Sequence, residues 1–182
     1  MLLAVLATPA ARGQTPAAGM LLVSRPTLED PNFASSVLLL VYHDDNGSLG
    51  ILLNRPTNLR PSRVFPEIEV LADYADPVFV GGPLEPGRVL MLLRDPPPGT
   101  VDGDPVVDDV YIAADPAVLS DCGVRLDAER VRLYAGHAAW GPGQLQDEID
   151  RGDWSLAQGR ADLVFTTKPL ELWQATSAQP TG

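Results

Sequence analysis

Cysteine and histidine are scarce: Cys122 is the only cysteine, and His43 and His137 are the only histidines. No disulfide can close within the chain, and a zinc site of the usual Cys/His kind cannot be assembled. Cys122 lies in LSDCGV with no basic neighbour closer than Arg125, the setting of a small residue at a helix end and not of a reactive thiol. No apolar run approaches the ~18 residues needed to cross a bilayer, so no membrane span is expected. Lysine is nearly missing, since twelve of the thirteen basic residues are Arg and Lys168 stands alone. With Ala, Pro and Gly plentiful, that bias reads as genomic base composition. A basic face is lacking too. The net charge is −11; Met20 to Arg63 is balanced, whereas Val64 onward carries 8 basic against 20 acidic residues. Proteins that bind duplexes draw most of their affinity from phosphate contacts, so direct DNA binding is disfavoured. The adjacent glycines lack the spacing of a dinucleotide loop or a P-loop, and no G-x-S-x-G elbow occurs. Neither metal nor cofactor is expected.

At 182 residues, 45% of them hydrophobic, the chain suits one domain with a sizeable core. Its organising stretch is Ala135 to Ile149, AGHAAWGPGQLQDEI. Val131, Leu133 and Ala135 alternate with charged or aromatic neighbours at the strand period, and Gly136 breaks the pattern. Gly141, Pro142 and Gly143 set a tight turn, with Pro142 suited to the first helical turn. In the helix that follows, Leu145 and Ile149 face the core, Gln144, Asp147, Glu148 and Asp150 face water, and Gly152 ends it. Such a corner presents free backbone N–H groups that could hold an anion or a substrate carbonyl.

The first eighteen residues, rich in Ala and Pro, read either as an imperfect secretory signal, apolar over Leu2 to Ala7 and cut before Gln14, or as a disordered arm. The first reading implies export to the periplasm. The domain is expected over residues 19–176 with a fraying tail from Ser177. Met20 to Ser24 reads as a strand; Val37 to Val41, VLLLV, as a central strand buried on both faces; and Leu49 to Leu53 as its antiparallel partner across an Asn46-Gly47 turn. Pro61 to Tyr74 is irregular and helical, Val78 to Val80 and Arg88 to Leu93 are strands, and Asp95 to Pro105 is a surface loop. Val106 to Ala113 can form a strand. Asp115 caps a short helix opened by Pro116. Trp154 to Leu156 and Leu163 to Phe165 read as short strands, and Pro169 to Ala175 as a closing helix.

Four motifs, LEDPNF at Leu28 to Phe33, GILLNRPTNL at Gly50 to Leu59, VGGPLEPGRV at Val80 to Val89 and GHAAWGPGQL at Gly136 to Leu145, resemble in identity and order those of the YqgE/AlgH family. The resemblance spans roughly Gly19 to Trp173. It implies a cytoplasmic bacterial protein of a group described as transcriptional regulators, with no established enzymatic activity, and it implies barrel character in the sheet. This chain departs from the family at two positions: His137 stands where a Tyr is usual, and the run VLMLL at Val89 to Leu93 is not followed by the family's His. The fold expected is a single α+β domain, a mixed, twisted and partly barrel-like sheet of six to eight strands flanked by short helices, AlgH-like.

Candidate binding residues follow from position. Asn54 and Arg55 leave a strand at its C-terminal end, where Pro56 keeps Arg55 extended and able to project toward a carboxylate or phosphate. The plainer reading has them brace the loop. Gly81, Gly82 and Pro83 form a turn or a close backbone contact. His137 packs or hydrogen-bonds at the corner beside Trp140, Gly141, Pro142, Gly143 and Gln144; Trp140 is a ligand platform, a protein contact or a core residue. Ser24, Ser35 or Ser36 with His137 supplies the residue types of a serine hydrolase, but no Ser sits at an exposing strand-to-helix turn, and no catalytic residue is assigned. Two readings result. One is a non-enzymatic regulatory or interaction module with a protein partner; the other is a protein or hydrolase that binds a small anionic ligand through Arg55 and the Trp140 corner.

Overall fold

Apolar residues in successive positions, as in VLLLV, commit a strand to burial on both faces, and the sheet is built around such strands. A computed structural model of the chain describes residues 15–121 and 126–177. Positions 1–14 of the leader or arm read over residues 1–18, the helix-end reading of Cys122 and positions 178–182 of the fraying tail lie outside the described residues, whereas Ser177, expected to fray, closes the last helix. Among the described residues eight strands run in chain order as β1 (Met20–Ser24), β2 (Val37–Asp44), β3 (Gly47–Leu52), β4 (Phe79–Val80), β5 (Leu84–Arg94), β6 (Val110–Ala113), β7 (Val131–Trp140) and β8 (Trp154–Gln158). They form one sheet in the order β6-β5-β7-β3-β2-β1-β8, antiparallel along this path, with β4 added parallel to β7. Short helices α1 (Pro61–Val64), α2 (Val118–Asp121), α3 (Gln144–Arg151), α4 (Ala161–Val164) and α5 (Leu172–Ser177) surround it, with single 3-10 turns at Glu69–Leu71 and Pro169–Glu171. This is the α+β domain expected.

The sheet curls without closing. Leu21 and Val23 of β1, Val37 and Leu39 of β2, Leu90 and Leu92 of β5 and Tyr134 of β7 share one buried cluster on its inner face, which α4 and α5 cover. Outside, alternate residues Leu22, Leu38 and Leu40 pack with Trp140, Trp154 and Leu145 of α3. A third cluster puts Met91, Leu93, Val131 and Leu133 against Leu71 and Tyr74. Near the two sheet edges, the Ala161 amide donates to the Asp108 carboxylate at 2.8 Å. A Cβ on Gly19 would lie 2.6 Å from the Val106 carbonyl oxygen. Loop atoms make these contacts and no ladder does, which gives the barrel character its limit.

Several local readings need correction. The hairpin turns on Asp45 and Asn46, with Gly47 already paired to Asp44 and carrying the positive φ of 144°. Only Val110–Ala113 of the expected Val106 strand is regular, because Val106 and Val107 fold back to bond Val110. Leu163 to Phe165 is not a strand: Ala161–Val164 is a helical turn that buries Ala161 and Val164 against the inner face. Apolar runs this short do not reveal their period.

Candidate functional site

Strand β7 does not stop at Gly136. Gly136 takes a left-handed conformation, φ 74°, and the strand continues to Trp140, changing partners as it goes. Its first half pairs β5 on one edge and β4 on the other; its second half pairs β3. Since β4 and β5 flank opposite edges of β7, the three residues between them, Gly81, Gly82 and Pro83, must pass across the strand. They pass at Gly136 and His137. A Cβ on Gly81 would lie 2.2 Å from the Gly136 carbonyl oxygen, and one on Gly82 2.1 Å from the His137 carbonyl carbon. Side chains have no room there, and the VGG and GHAAW motifs meet for that reason.

In the loop that follows β3, Asn54 and Arg55 are braces. The Asn54 Oδ1 accepts from the Val37 amide at 3.0 Å, and its Nδ2 donates to the Ser35 carbonyl at 2.9 Å. Arg55 Nη2 donates to the Ala34 carbonyl at 2.8 Å and to Ser36 Oγ at 3.2 Å. No carboxylate lies within salt-bridge distance of Arg55 among the described residues, so its loop contact is one of hydrogen bonds only. The loop so held carries Phe33, whose ring lies 6.4 Å from Trp140 and 5.6 Å from Trp154. Arg55 and Trp140, far apart in sequence, thus grip the two ends of one short segment.

Trp140 is buried, and its indole N–H donates to Glu148 Oε2 at 2.9 Å; the Trp154 indole N–H donates to the same oxygen at 2.8 Å. Gln144 Nε2 donates to the other oxygen at 3.1 Å, while Gln144 Oε1 accepts from the Gly141 amide. Glu148 therefore turns inward, contrary to the helical-face reading, because two buried indole N–H groups need an acceptor. Pro142 also lies outside the helix. The turn Gly141-Pro142-Gly143 ends with Gly143 as the N-cap at φ 75°, and Leu145 and Gly152 occupy the buried face and the C-cap as expected.

His137 is 8% exposed, and its Nδ1 is enclosed with no hydrogen-bond partner among the described residues. Glu85 Oε2 stands 3.9 Å away. No serine hydrogen-bonds to His137 among the described residues. Ser24 and Ser36 are instead tied to one another, the Ser36 amide donating to Ser24 Oγ at 2.8 Å.

Sequence reasoning missed Arg132. Placed opposite core positions by strand alternation, it is nonetheless 2% exposed on the inner face. Nη1 donates to the Val164 carbonyl at 2.8 Å, Nη2 donates to the Thr166 carbonyl, Nε lies 3.5 Å from Asp76 Oδ2, and the guanidinium stacks 5.0 Å from the Phe79 ring centre. A charged residue in a strand flanked on both faces by apolar neighbours was the available signal. Two tyrosines adjoin it. Tyr74 donates to the Val131 carbonyl, and burial raises its pKa. Burial also pushes Tyr134 up to about 12, with the neighbouring Arg132 charge acting in the opposite direction. A folded-state pKa above the unfolded one means that this contribution to stability is complete below about pH 10 and is lost as pH rises from there through the folded value. In an alkaline titration Tyr74 and Tyr134 should ionise only as the protein unfolds. Phenolate absorbance recorded beside far-ultraviolet dichroism checks this: ionisation of all four tyrosines before loss of secondary structure would contradict it.

Two clefts open among the described residues. One of about 200 Å³ lies between the hairpin tip and α3, lined by His43, Ser48, Gly141, Gly143 and Gln146 among others. One of about 390 Å³ is lined by Ser24, Arg25 and Gln174 among others. Asn54, Arg55, His137 and Trp140 line neither. Among the described residues no cluster of His, Cys, Asp or Glu could hold a metal ion, and no helix is long and apolar enough to cross a membrane.

The arrangement has relatives. A UPF0301 protein of Streptomyces avermitilis is 37% identical over 164 residues, covering 86% of this chain and 82% of its own. One from Mycobacterium tuberculosis is 38% identical over 173 residues, covering 90% and 82%. Among solved structures, a Corynebacterium diphtheriae protein superposes with a TM-score of 0.74 at 29% identity, covering 92% of this chain and 90% of its own. The AlgH protein of Pseudomonas aeruginosa gives 0.69 at 25%, covering 92% and 91%. The AlgH-like family profile matches residues 21–181, a span that takes in all four motifs and the strand on which they converge, and the chain belongs to that family.

Proposed function

We propose that the protein is a non-enzymatic regulatory module that acts by binding another protein. The observation that carries this reading is the use of the polar side chains: Asn54, Arg55 and Gln144, the groups best suited to seize a ligand, are spent on the chain's own backbone and on Glu148. Uncovered beside the glycine passage are two apolar side chains, Val80 at 41% and Leu84 at 44% exposure. Exposed apolar side chains rimmed by polar ones suit a protein contact better than a charged small molecule.

The regulator label attached to the family extends to partners, not to duplex DNA. Arg88, Arg94, Arg130, Arg151, Arg160 and Lys168 each face a carboxylate of this chain, and Arg132 is buried, which leaves few cations for phosphates. The deciding experiment has two arms. Affinity capture from cells with the natural chain and with Leu84→Asp should return a partner that the variant loses. Thermal unfolding against nucleotides, phosphates and small carboxylates should show no saturable rise in Tm. A saturable rise abolished by Arg55→Lys would replace this reading with a small-anion site at the Arg55 loop.

A further inference from the structure

The chain has four asparagines, and Asn46 alone is followed by glycine. In that pair no side chain shields the glycine nitrogen from the asparagine carboxamide, which makes it the most labile setting an asparagine can have. The glycine cannot be exchanged. Gly47 has a φ of 144°, and a Cβ on it would lie 2.4 Å from the Trp140 carbonyl oxygen. Packing of β3 on the end of β7 thus obliges the hairpin to carry this sequence at its tip, where Asp44, Asp45 and Asn46 are all exposed. Asp44 restrains it. Its Oδ1 accepts from the Asn46 backbone amide at 2.7 Å, and its Oδ2 accepts from Asn46 Nδ2 at 3.1 Å and from the Tyr42 hydroxyl. The first bond shapes the turn, and the second holds the side-chain amide. Hydrogen bonds from Tyr42 and Asn46 hold the Asp44 carboxylate below its usual range, with the Gly47 amide acting in the same direction, so the group stays an acceptor.

We propose that Asn46 is a site of spontaneous covalent modification, conversion to aspartate and isoaspartate, and that the Asp44 carboxylate holds it unreacted in the folded chain. In the reaction the Gly47 nitrogen attacks Asn46 Cγ. The N–Cγ bond forms, the Cγ–Nδ2 bond breaks, the Gly47 amide proton leaves with Nδ2 as ammonia, and a cyclic imide remains. Water then opens the imide at either carbonyl, giving aspartate or isoaspartate. Asp44 opposes the first step by geometry. Its bond to Nδ2 keeps the carboxamide turned back toward residue 44, whereas attack requires the carboxamide to swing toward Gly47. The product reaches beyond the tip. It adds a negative charge beside a cleft already lined by Asp44 and Asp45, and isoaspartate lengthens the backbone just where Gly47 lies against the Trp140 carbonyl. The inference stands apart from the proposed function, and its test needs no partner.

The test follows amide-to-acid conversion by peptide mass spectrometry in the full chain, kept in mildly alkaline buffer with and without unfolding urea. In urea the natural chain should convert Asn46 ahead of Asn32, Asn54 and Asn58. Folded, it should convert Asn46 severalfold more slowly. Asp44→Ala, with far-ultraviolet dichroism and Tm showing the fold intact, should recover most of the rate seen in urea. Asp44→Ser, whose single oxygen keeps the turn but cannot also hold the side-chain amide, should be fast as well. Gly47 is also paired to Asp44 in the strand ladder, and the two variants leave that pairing in place. Equal rates for the natural chain and both folded variants would therefore assign the protection to the ladder and overturn the proposal. A natural chain that converts Asn46 as fast folded as in urea overturns it too.

Discussion

Replacing Gly82 by Ala should remove a large part of the domain's stability. The added Cβ would sit 2.1 Å from the His137 carbonyl carbon, 2.3 Å from its oxygen and 2.5 Å from the Ala138 nitrogen, all backbone atoms of a strand paired on both edges. No rotamer can relieve that overlap. Relief requires moving β7 away from the passage, and β7 is the strand through which β3, β4 and β5 are joined. We expect a loss of about 4 kcal/mol or more, the range reserved for substitutions that no side-chain adjustment can absorb, and a typical domain has only ~5–15 kcal/mol to lose. Gly136→Ala should be comparable, since it combines a φ of 74° with a Cβ 2.6 Å from the Gly82 carbonyl oxygen. Gly87→Ala, one turn away in open space, should change the urea midpoint by less than ~0.5 kcal/mol equivalent. Equal midpoints for Gly82→Ala and Gly87→Ala would show that the passage is looser than the backbone distances require.

How much of this was legible from residues alone depends on what each signal encodes. VLLLV announced a strand covered on both sides, and Leu38 and Leu40 do face one cluster while Val37 and Leu39 face the other. Asp115 capping the Ala117 amide at 2.9 Å and Gly152 ending α3 were equally readable, because caps are local chemistry. Gly136 misled because a glycine has two uses. It can end a strand or let another chain cross it, and only the partner, Gly82, tells which. Glu148 and Arg132 were hidden for a related reason. Their inward turn is set by what waits inside, two indole N–H groups for Glu148 and two carbonyls of α4 and its exit for Arg132, and those acceptors and donors come from remote sequence. The candidate residues around Asn54, Arg55 and Trp140 were chosen for their chemistry; the hydrogen bonds that engage that chemistry run to positions 34–37 and 148, which spacing does not connect.

Arg132→Met should produce the second large loss, and its size separates two roles of the side chain. The guanidinium donates to the Val164 and Thr166 carbonyls, which end α4 and lead toward α5, and it faces Asp76 across 3.5 Å. Removing one member of a buried pair typically costs about 3–5 kcal/mol, because the groups left behind stay desolvated. Here the strandable groups are unequal. Asp76 retains 27% side-chain exposure and can take up water, whereas the Val164 carbonyl lies where Val164 itself is fully buried. The carbonyl bonds should therefore dominate, with Arg132→Met costing about 3 kcal/mol or more and Asp76→Asn, which leaves both bonds in place, about 1 kcal/mol. The damage should appear first at the C-terminal end: Trp173, whose indole N–H reaches the Ser24 carbonyl at 2.8 Å, rides on the segment that Arg132 holds. Proteolysis of Arg132→Met should accordingly begin after β8 while the rest of the sheet resists. If Asp76→Asn instead cost as much as Arg132→Met, the ion pair and not the carbonyl clamp would be what keeps a charge in the middle of the inner face, and the C-terminal segment would dock by its apolar contacts alone.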